Sequence, residues 1–589
     1  MHNNNEMKAA TKDSSLKPAE PQFSTEASVG LASLAAITTT SCGGGGVSGG
    51  GGGNQTSSVA SSVTPQPLYT KPEAARFLLQ AQFTATDDEI LSVRTLGYEA
   101  WLNAQFTTPI DQTGAQWLTA NGHATPTHDG NYFNPVYGDW MAWNQLLTGS
   151  GQVRKRLALA LSEFFVVSLN PIDGFWPPML IAGYWDLLNA QVFDNFRNLL
   201  EDISLNPAMG FYLNTKGNLK EDAASGRQPD ENYAREIMQL FSIGLYELNL
   251  DGTVKTNAQG SPIETYVQSD ITNLARVFTG YDWDYSKVTW TNGFEKYPVP
   301  STEFTSGRMA FDAQKHSTLA VSFLGTNIPA NTSGPDALRI ALDTLFNHAN
   351  TGPFFCKQMI QRLVTSNPSP AYVQRVASVF NNNGSGVRGD LKSVWRAILT
   401  DSEARTLPTN KTAGKLREPI VRLTQIARTF NVSSSNGKWE IYDLSNADTA
   451  LGQAPLRSPS VFNYFRPGYV PPNTAMATQG LLAPEFQLHN ETSTAGYINL
   501  LTYFIKSGYA DVKISLSAIE SLATDAKALV EWLNLHLTAS QLSAATLDLI
   551  QQALEATPIT AASSSDAKSD RLYAAILLVA ACPEYLIQK

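Results

Sequence analysis

Pro229-Asp-Glu-Asn-Tyr-Ala-Arg-Glu-Ile-Met-Gln-Leu-Phe-Ser-Ile-Gly-Leu245 sets the fold class. Asp230, placed after Pro229, suits an N-cap, because its carboxylate can accept from the first free N–H groups of a helix. Gly244 suits a terminator. At 100° per residue, Tyr233, Ile237, Leu240 and Phe241 fall on one face. Asn232, Arg235, Glu236 and Gln239 fall on the other. The spacing therefore predicts an amphipathic helix from Asp230 to about Gly244, its apolar face packed on a core.

The same periodicity recurs on both sides. It predicts helices over Lys71–Gln82, Asp87–Phe106 (with a Leu96-Gly97 break), Val153–Ser168 and Tyr184–Leu200. Further helices are expected over Asp270–Phe278, Asp336–Leu363, Tyr372–Phe380, Asp390–Asp401, Lys415–Phe430, Leu516–Glu555 and Ser569–Leu586. Between Leu245 and about Phe311 the pattern changes. Leu248-Asn-Leu-Asp-Gly-Thr-Val254 carries an Asp-Gly turn between short apolar runs, a hairpin signal. Asp282–Phe304 is rich in aromatic and turn residues and predicts an irregular covering loop. Leu456–Pro472, with its prolines and aromatics, predicts an ordered non-helical segment. The expected fold is mainly α, a large multi-helix domain with a small β-hairpin and irregular insertion around 245–311. A folded region of about 520 residues exceeds the usual single core, so two lobes split near 330 are expected within 67–589.

The N-terminus reads differently. Val29–Ile37 is an apolar run followed by Thr39, Thr40, Ser41 and Cys42. Residues 1–42 resemble the export signal of a lipoprotein, with Cys42 as the lipidation site, although Thr39 stands where such signals carry a large aliphatic residue. The alternative is an N-terminus that does not fold and happens to carry a cysteine. Residues 43–66 are Gly/Ser-rich and predict a tether with a reach of about 27 Å. The protein is expected to be exported: periplasmic, outer-membrane-anchored or extracellular, meeting the membrane through its lipid alone.

The net charge of −10 and the absence of basic clusters argue against nucleic acid as a partner. The 11 Trp, 21 Tyr and 26 Phe suit a large core, and also a surface that stacks on sugars. Beyond Cys42, Cys356 and Cys582 leave open either one disulfide or two buried thiols. No Gly-x-Ser-x-Gly elbow, phosphate-binding loop or zinc-ligand spacing is present.

Several stretches carry a family resemblance. They are Val153-Arg-Lys-Arg-Leu-Ala-Leu-Ala-Leu-Ser-Glu-Phe-Phe-Val-Val-Ser168, Asn206-Pro-Ala-Met-Gly-Phe-Tyr-Leu213, the 229–245 motif, Leu274-Ala-Arg-Val-Phe-Thr-Gly280, Gln361-Arg-Leu-Val-Thr-Ser-Asn-Pro-Ser-Pro370, Gly414-Lys-Leu-Arg-Glu-Pro419, Pro459-Ser-Val-Phe-Asn-Tyr-Phe465 and Pro583-Glu-Tyr-Leu586. Together they are similar to the bacterial family called "domain of unknown function 1800", over about Lys71 to Lys589. The resemblance implies a large, mainly helical, often exported and lipoprotein-like protein. It also implies genes beside those of an exported sulfatase-like family, a candidate partner. It implies no particular reaction.

Three groups of residues could carry chemistry. On the polar stripe, Glu236 could act as acid, base or metal ligand, and Arg235 could clamp an anion. Asn232 and Tyr233 would complete substrate contacts. The competing reading is an Arg–Glu pair bracing helices. His316 falls where the family has its histidine and could shuttle protons, or simply pack. Asp270 could form a carboxylate pair with Glu236, or cap its own helix; Arg276 follows on the same helix. A divalent metal is open at such a pair but is not indicated by spacing. Arg417-Glu418 before Pro419 reads as an ion pair at a helix start. These residues leave two functional expectations. One is a hydrolase or lyase acting on an envelope or extracellular polymer such as a polysaccharide. The other is a non-catalytic surface lipoprotein that binds a partner protein or glycan.

Overall fold

Helix starts in this chain are built from local polar side chains. Thr70, Thr86 and Thr113 each accept from the N–H three residues on, while Glu73, Glu89 and Gln116 reach back to the cap's own N–H. Two otherwise orphaned donors are met at each such end. Proline opens Pro177–Gln191, Pro207–Tyr212, Pro370–Asn381 and Pro419–Thr429, where its missing N–H costs nothing. The computed structural model describes residues 68–589 apart from 127, 294–295 and 411. The expected export signal, Cys42 and the 43–66 tether lie outside the described residues.

The fold is mainly α. The strands that do occur among the described residues form short two-stranded ladders. Pro177–Gln191 is central to one group of helices, packing on Gly114–Ala120, Val136–Leu147 and Gln152–Ser162. Thr351–Leu363, Pro370–Asn381 and Leu391–Thr400 stack in sequence order. Glu491–Ser507, Ala526–Thr538, Ala544–Glu555 and Ser565–Ala581 make the C-terminal group. One buried apolar cluster runs through all three groups. No described helix is long and apolar enough to cross a membrane.

The 229–245 motif forms a shorter helix than its pattern predicts, Asn232–Gln239. Its N-cap is Glu231 rather than the expected Asp230, which lies one residue earlier and accepts from the Asn232 N–H at 2.8 Å. Gly244 ends the motif at φ +73°, its N–H returning to the Met238 carbonyl. After it, Tyr246 bridges Glu264, Leu248 bridges Val254 and Thr256 bridges Pro262. These pairings build the predicted insertion around the Asp251-Gly252 turn.

Several predicted helices are divided or shortened. Tyr184–Leu200 is two helices, because Asn195 caps a new one at Phe196. Asp336–Leu363 breaks between Asn347 and Thr351. Within Leu516–Glu555 the helical path stops at Ala539 and Ser540, both left-handed. Ser569–Leu586 breaks at Cys582, and Val153–Ser168 stops early at Ser162, leaving Glu163 as its C-cap. Cys356 and Cys582 are free thiols, Cys356 buried and Cys582 half-buried.

The chain end is stitched to an internal segment. Ile587–Gln588 pairs antiparallel with Lys415–Leu416, Leu416 facing Ile587. Gly414, at φ +112°, makes this possible: a Cβ there would lie 2.4 Å from the Gln588 carbonyl oxygen. Gly414→Ala is expected to lower the unfolding free energy by about 1–3 kcal/mol, read from urea melts. An unchanged midpoint would show that the stitch contributes nothing.

Candidate functional site

The polar stripe braces helices at one end and is buried at the other. Glu231 accepts from Gln268 Nε2 (2.8 Å) and Thr272 Oγ1 (2.7 Å) and lies 3.3 Å from Arg235 Nη2. It thereby ties Asn232–Gln239 to the helix Gln268–Ala275. Asn232 and Arg235 are half-exposed, whereas Glu236 is buried and its Oε2 has no hydrogen-bond partner. Burial raises the Glu236 carboxyl above its ordinary value, against the pull of Arg235. Tyr233 points into the core, its hydroxyl donating to Ser204 Oγ at 2.8 Å and its ring meeting Phe278 edge-on.

Asp270 is a structural cap. Its Oδ2 accepts from the Val267 N–H (2.9 Å) and its Oδ1 from the Leu324 N–H (3.0 Å), pinning the Val321–Ile328 hairpin to the helix. His316 is buried, with Nδ1 at 2.9 Å from the Thr279 carbonyl oxygen, which requires the proton on Nδ1. Burial lowers its basicity. No hydrogen bond or ion pair joins Glu236, Asp270 and His316. The charges acting on His316 are Glu221 and Lys220 instead. Asp270→Ala is expected to cost about 0.5–2 kcal/mol of stability, as for the loss of a helix cap, and to leave ligand binding untouched. Loss of binding in a folded Asp270→Ala protein would return Asp270 to the site.

A cavity of about 600 Å³ lies elsewhere. Leu245, Tyr246, Leu248 and Val254 of the hairpin insertion form one wall. Phe354, Lys357 and Gln358 of helix Thr351–Leu363 form a second. The third comes from the non-helical segment, with Val461, Phe462, Arg466 and Tyr469. Phe164, Glu163 and Arg362 lie at its base. Gln239, from the 229–245 motif, also lines it. The space suits a small molecule, for which pockets of roughly 300–1,000 Å³ are usual.

Beneath this base lies a buried charged cluster. Arg362 ends its helix, donating from Nη2 to the Glu163 carbonyl at 2.8 Å. The Arg362 carbonyl accepts from Arg156 Nη2 (2.8 Å) and Lys415 Nζ (2.6 Å), cations at the negative end of a helix dipole. Lys415 Nζ also lies 3.0 Å from Glu485 Oε1 and 3.7 Å from Glu418 Oε1. Glu418 Oε2 accepts from Gln453 Nε2 at 2.9 Å. Arg417 does not pair with Glu418. It donates to the Leu537 and Tyr585 carbonyls, both at 2.9 Å.

The family described as "Protein of unknown function (DUF1800)" matches residues 76–587. The chain belongs to that family. Comparison with curated proteins and with solved structures finds no match. The DUF1800 span contains the whole cluster: Arg156, Glu163, Arg362, Lys415, Glu418 and Glu485.

Within it, the Glu163 and Glu418 carboxyls act on one another, while both Glu163 carboxyl oxygens and Glu418 Oε1 are buried without a hydrogen-bond partner. Neighbouring carboxyls in a dry site oppose each other's ionisation. Burial and the adjacent Glu418 push Glu163 well above the usual carboxyl range. Burial opposes ionisation of Glu418 too, but its neighbour Glu163 and the charges of Lys415 and Arg156 hold it below its ordinary value. Helix dipoles act in the same direction. Glu163 caps a helix C-terminus, where negative charge is disfavoured, and Glu418 sits at a helix N-terminus, where it is favoured. Burial and helix position thus both favour the neutral form at Glu163 and the ionised form at Glu418. Sequence reasoning took neither as a site residue. The legible signal was a charge inside an apolar run, Leu161-Ser-Glu-Phe-Phe-Val-Val167, since such residues are rarely buried unless paired. Among the described residues no group of three or more His, Cys, Asp or Glu is arranged to hold a metal.

Proposed function

We propose that this DUF1800 protein is an exported, Cys42-anchored envelope protein whose working site is the 600 Å³ cavity, and that it binds an amphipathic small molecule there. The observation that carries the reading is the pairing of apolar walls with a polar base at Glu163 and Arg362. Apolar walls with a few convergent polar groups are the usual make-up of a ligand site. Of the two functions open from the sequence, this favours binding. Hydrolysis of a glycoside uses two carboxyls facing the substrate, roughly 5–9 Å apart, whereas Glu163 is the single carboxyl among the residues lining the cavity. Asp270 and His316 are engaged by backbone groups.

Titration of the full chain with N-phenyl-1-naphthylamine, a neutral fluorescent probe, tests the reading. Val254 lines the cavity and is 44% exposed, so Val254→Trp obstructs the space at little cost in folding. The expected result is saturable binding by the native protein and at least tenfold weaker binding by Val254→Trp. Equal binding by the two proteins would place the probe elsewhere and reject the cavity.

A further inference from the structure

The charges lining the cavity say what kind of head its ligand carries. Three cationic side chains line it, Lys357, Arg362 and Arg466, against one acidic residue, Glu163. Burial and the neighbouring Glu418 raise that carboxyl, which lessens its hold on them. Deeper down, Arg156, Arg362 and Lys415 face Glu418 and Glu485 as the remaining anions.

Each lining cation also keeps at least one N–H without a hydrogen-bond acceptor in the protein, although Arg362 donates from Nη1 to Gln358 Oε1 (3.2 Å) and from Nη2 to the Glu163 carbonyl. Arg362 is 4% exposed, yet its Nε–H makes no hydrogen bond and lies 3.6 Å from Glu163 Oε2. Lys357 is half-buried, and its ammonium donates only to the Gly252 carbonyl at 3.1 Å. Arg466 stacks its guanidinium over Phe462, 4.8 Å from the ring centre. No carboxylate among the described residues lies within ion-pair distance of Lys357 or Arg466. A buried donor without an acceptor is unfavourable until something supplies one, and cations in an apolar enclosure attract an anion more strongly than cations in water.

We propose that the cavity selects a single-chain amphiphile with one anionic head, its apolar body against the Phe354, Phe462 and Leu248 walls and its head met by Arg362, Lys357 and Arg466. This inference rests on the cavity being the binding site and adds the charge of the ligand. Carboxylate and phosphate monoester heads share that chemistry.

The test compares cis-parinaric acid with its methyl ester on the full chain. The two share one fluorescent chain and differ only in the charge of the head. The acid is expected to bind at least tenfold more tightly than the ester, with a margin that shrinks as salt is added. In the Lys357→Met/Arg466→Met protein the margin is expected to fall below threefold, through a loss of acid affinity. Both side chains are at least partly solvent-exposed, so the variant keeps the fold. Competition by decanoate or by decyl phosphate supports the proposal and tells the two heads apart. Equal affinity for acid and ester in the native protein would overturn the anionic head and leave the cavity standing. Failure of both probes to bind would remove the cavity reading, and this inference with it.

Discussion

Lys415→Met is expected to destabilise the protein by about 3–5 kcal/mol, the cost of breaking a buried ion pair on one side. Methionine keeps the apolar stem but removes the ammonium that serves the Arg362 carbonyl, Glu485 and Glu418 together. Both carboxylates are almost fully buried, with 0% and 2% of their side-chain surface exposed. Without Lys415 they face each other with one cation fewer, and neither has water to turn to. Urea unfolding of the full chain measures the loss. Glu485→Gln in the Lys415→Met background is expected to recover part of it, since one uncompensated charge disappears and the two sites are in contact. A loss below about 1 kcal/mol, the range of a surface pair, would show that the cluster is hydrated rather than dry.

The second large effect is on pH dependence. The Glu163 carboxyl is raised by burial and by Glu418. The folded protein therefore keeps a proton that the unfolded chain releases above its ordinary value of 4.5. Its contribution is fully present below that value. It falls as pH rises, by up to about 1.4 kcal/mol per pH unit, until the raised folded value is passed. Glu163→Gln replaces the protonated acid with a neutral side chain of the same shape. The difference in stability between native and Glu163→Gln proteins is thus expected to be flat below the ordinary value of 4.5 and to shift in favour of the variant as pH rises above it. Subtracting the two curves removes the parallel effects of Glu485, raised chiefly by burial, and of Asp139, pushed by burial to about 6. A constant difference across that range would mean that Glu163 is ionised in the folded state.

The helices and the hairpin insertion were legible because their signals are local. Tyr233, Ile237 and Phe241 repeat at helical spacing and are buried as that spacing requires. The Asp251-Gly252 turn forces its own hairpin. The helix breaks were less legible. Ala539 and Ser540 adopt left-handed backbone without glycine or proline to announce it, and apolar periodicity runs across the joint. The helix expected to reach Ser168 stops at Ser162, its next carbonyl held by Arg362, 199 positions along the chain. Local pattern holds no record of such a partner.

The site follows the same division. The 229–245 motif reads as the place for chemistry because it concentrates polar residues, yet Glu231 and Arg235 use them to join two helices. Gln239 at its far end is the residue of the stripe that reaches the cavity. Arg417 and Glu418, adjacent in sequence, read as a pair but turn to different partners. Glu163, Arg362, Lys415, Glu418 and Glu485 come from separate segments, and only folding assembles them.

Photolabelling tests the central claim most directly. A benzophenone-4-carboxylate probe is irradiated with the full-chain protein and the labelled peptides are identified by mass spectrometry. If the cavity is the working site, labels concentrate on the peptides bearing Phe354, Val461 and Leu482, all of which line it, and decanoate suppresses them. Labels that gather instead on the exposed aromatics Tyr285, Trp290 and Tyr297, or that ignore decanoate, would contradict the account.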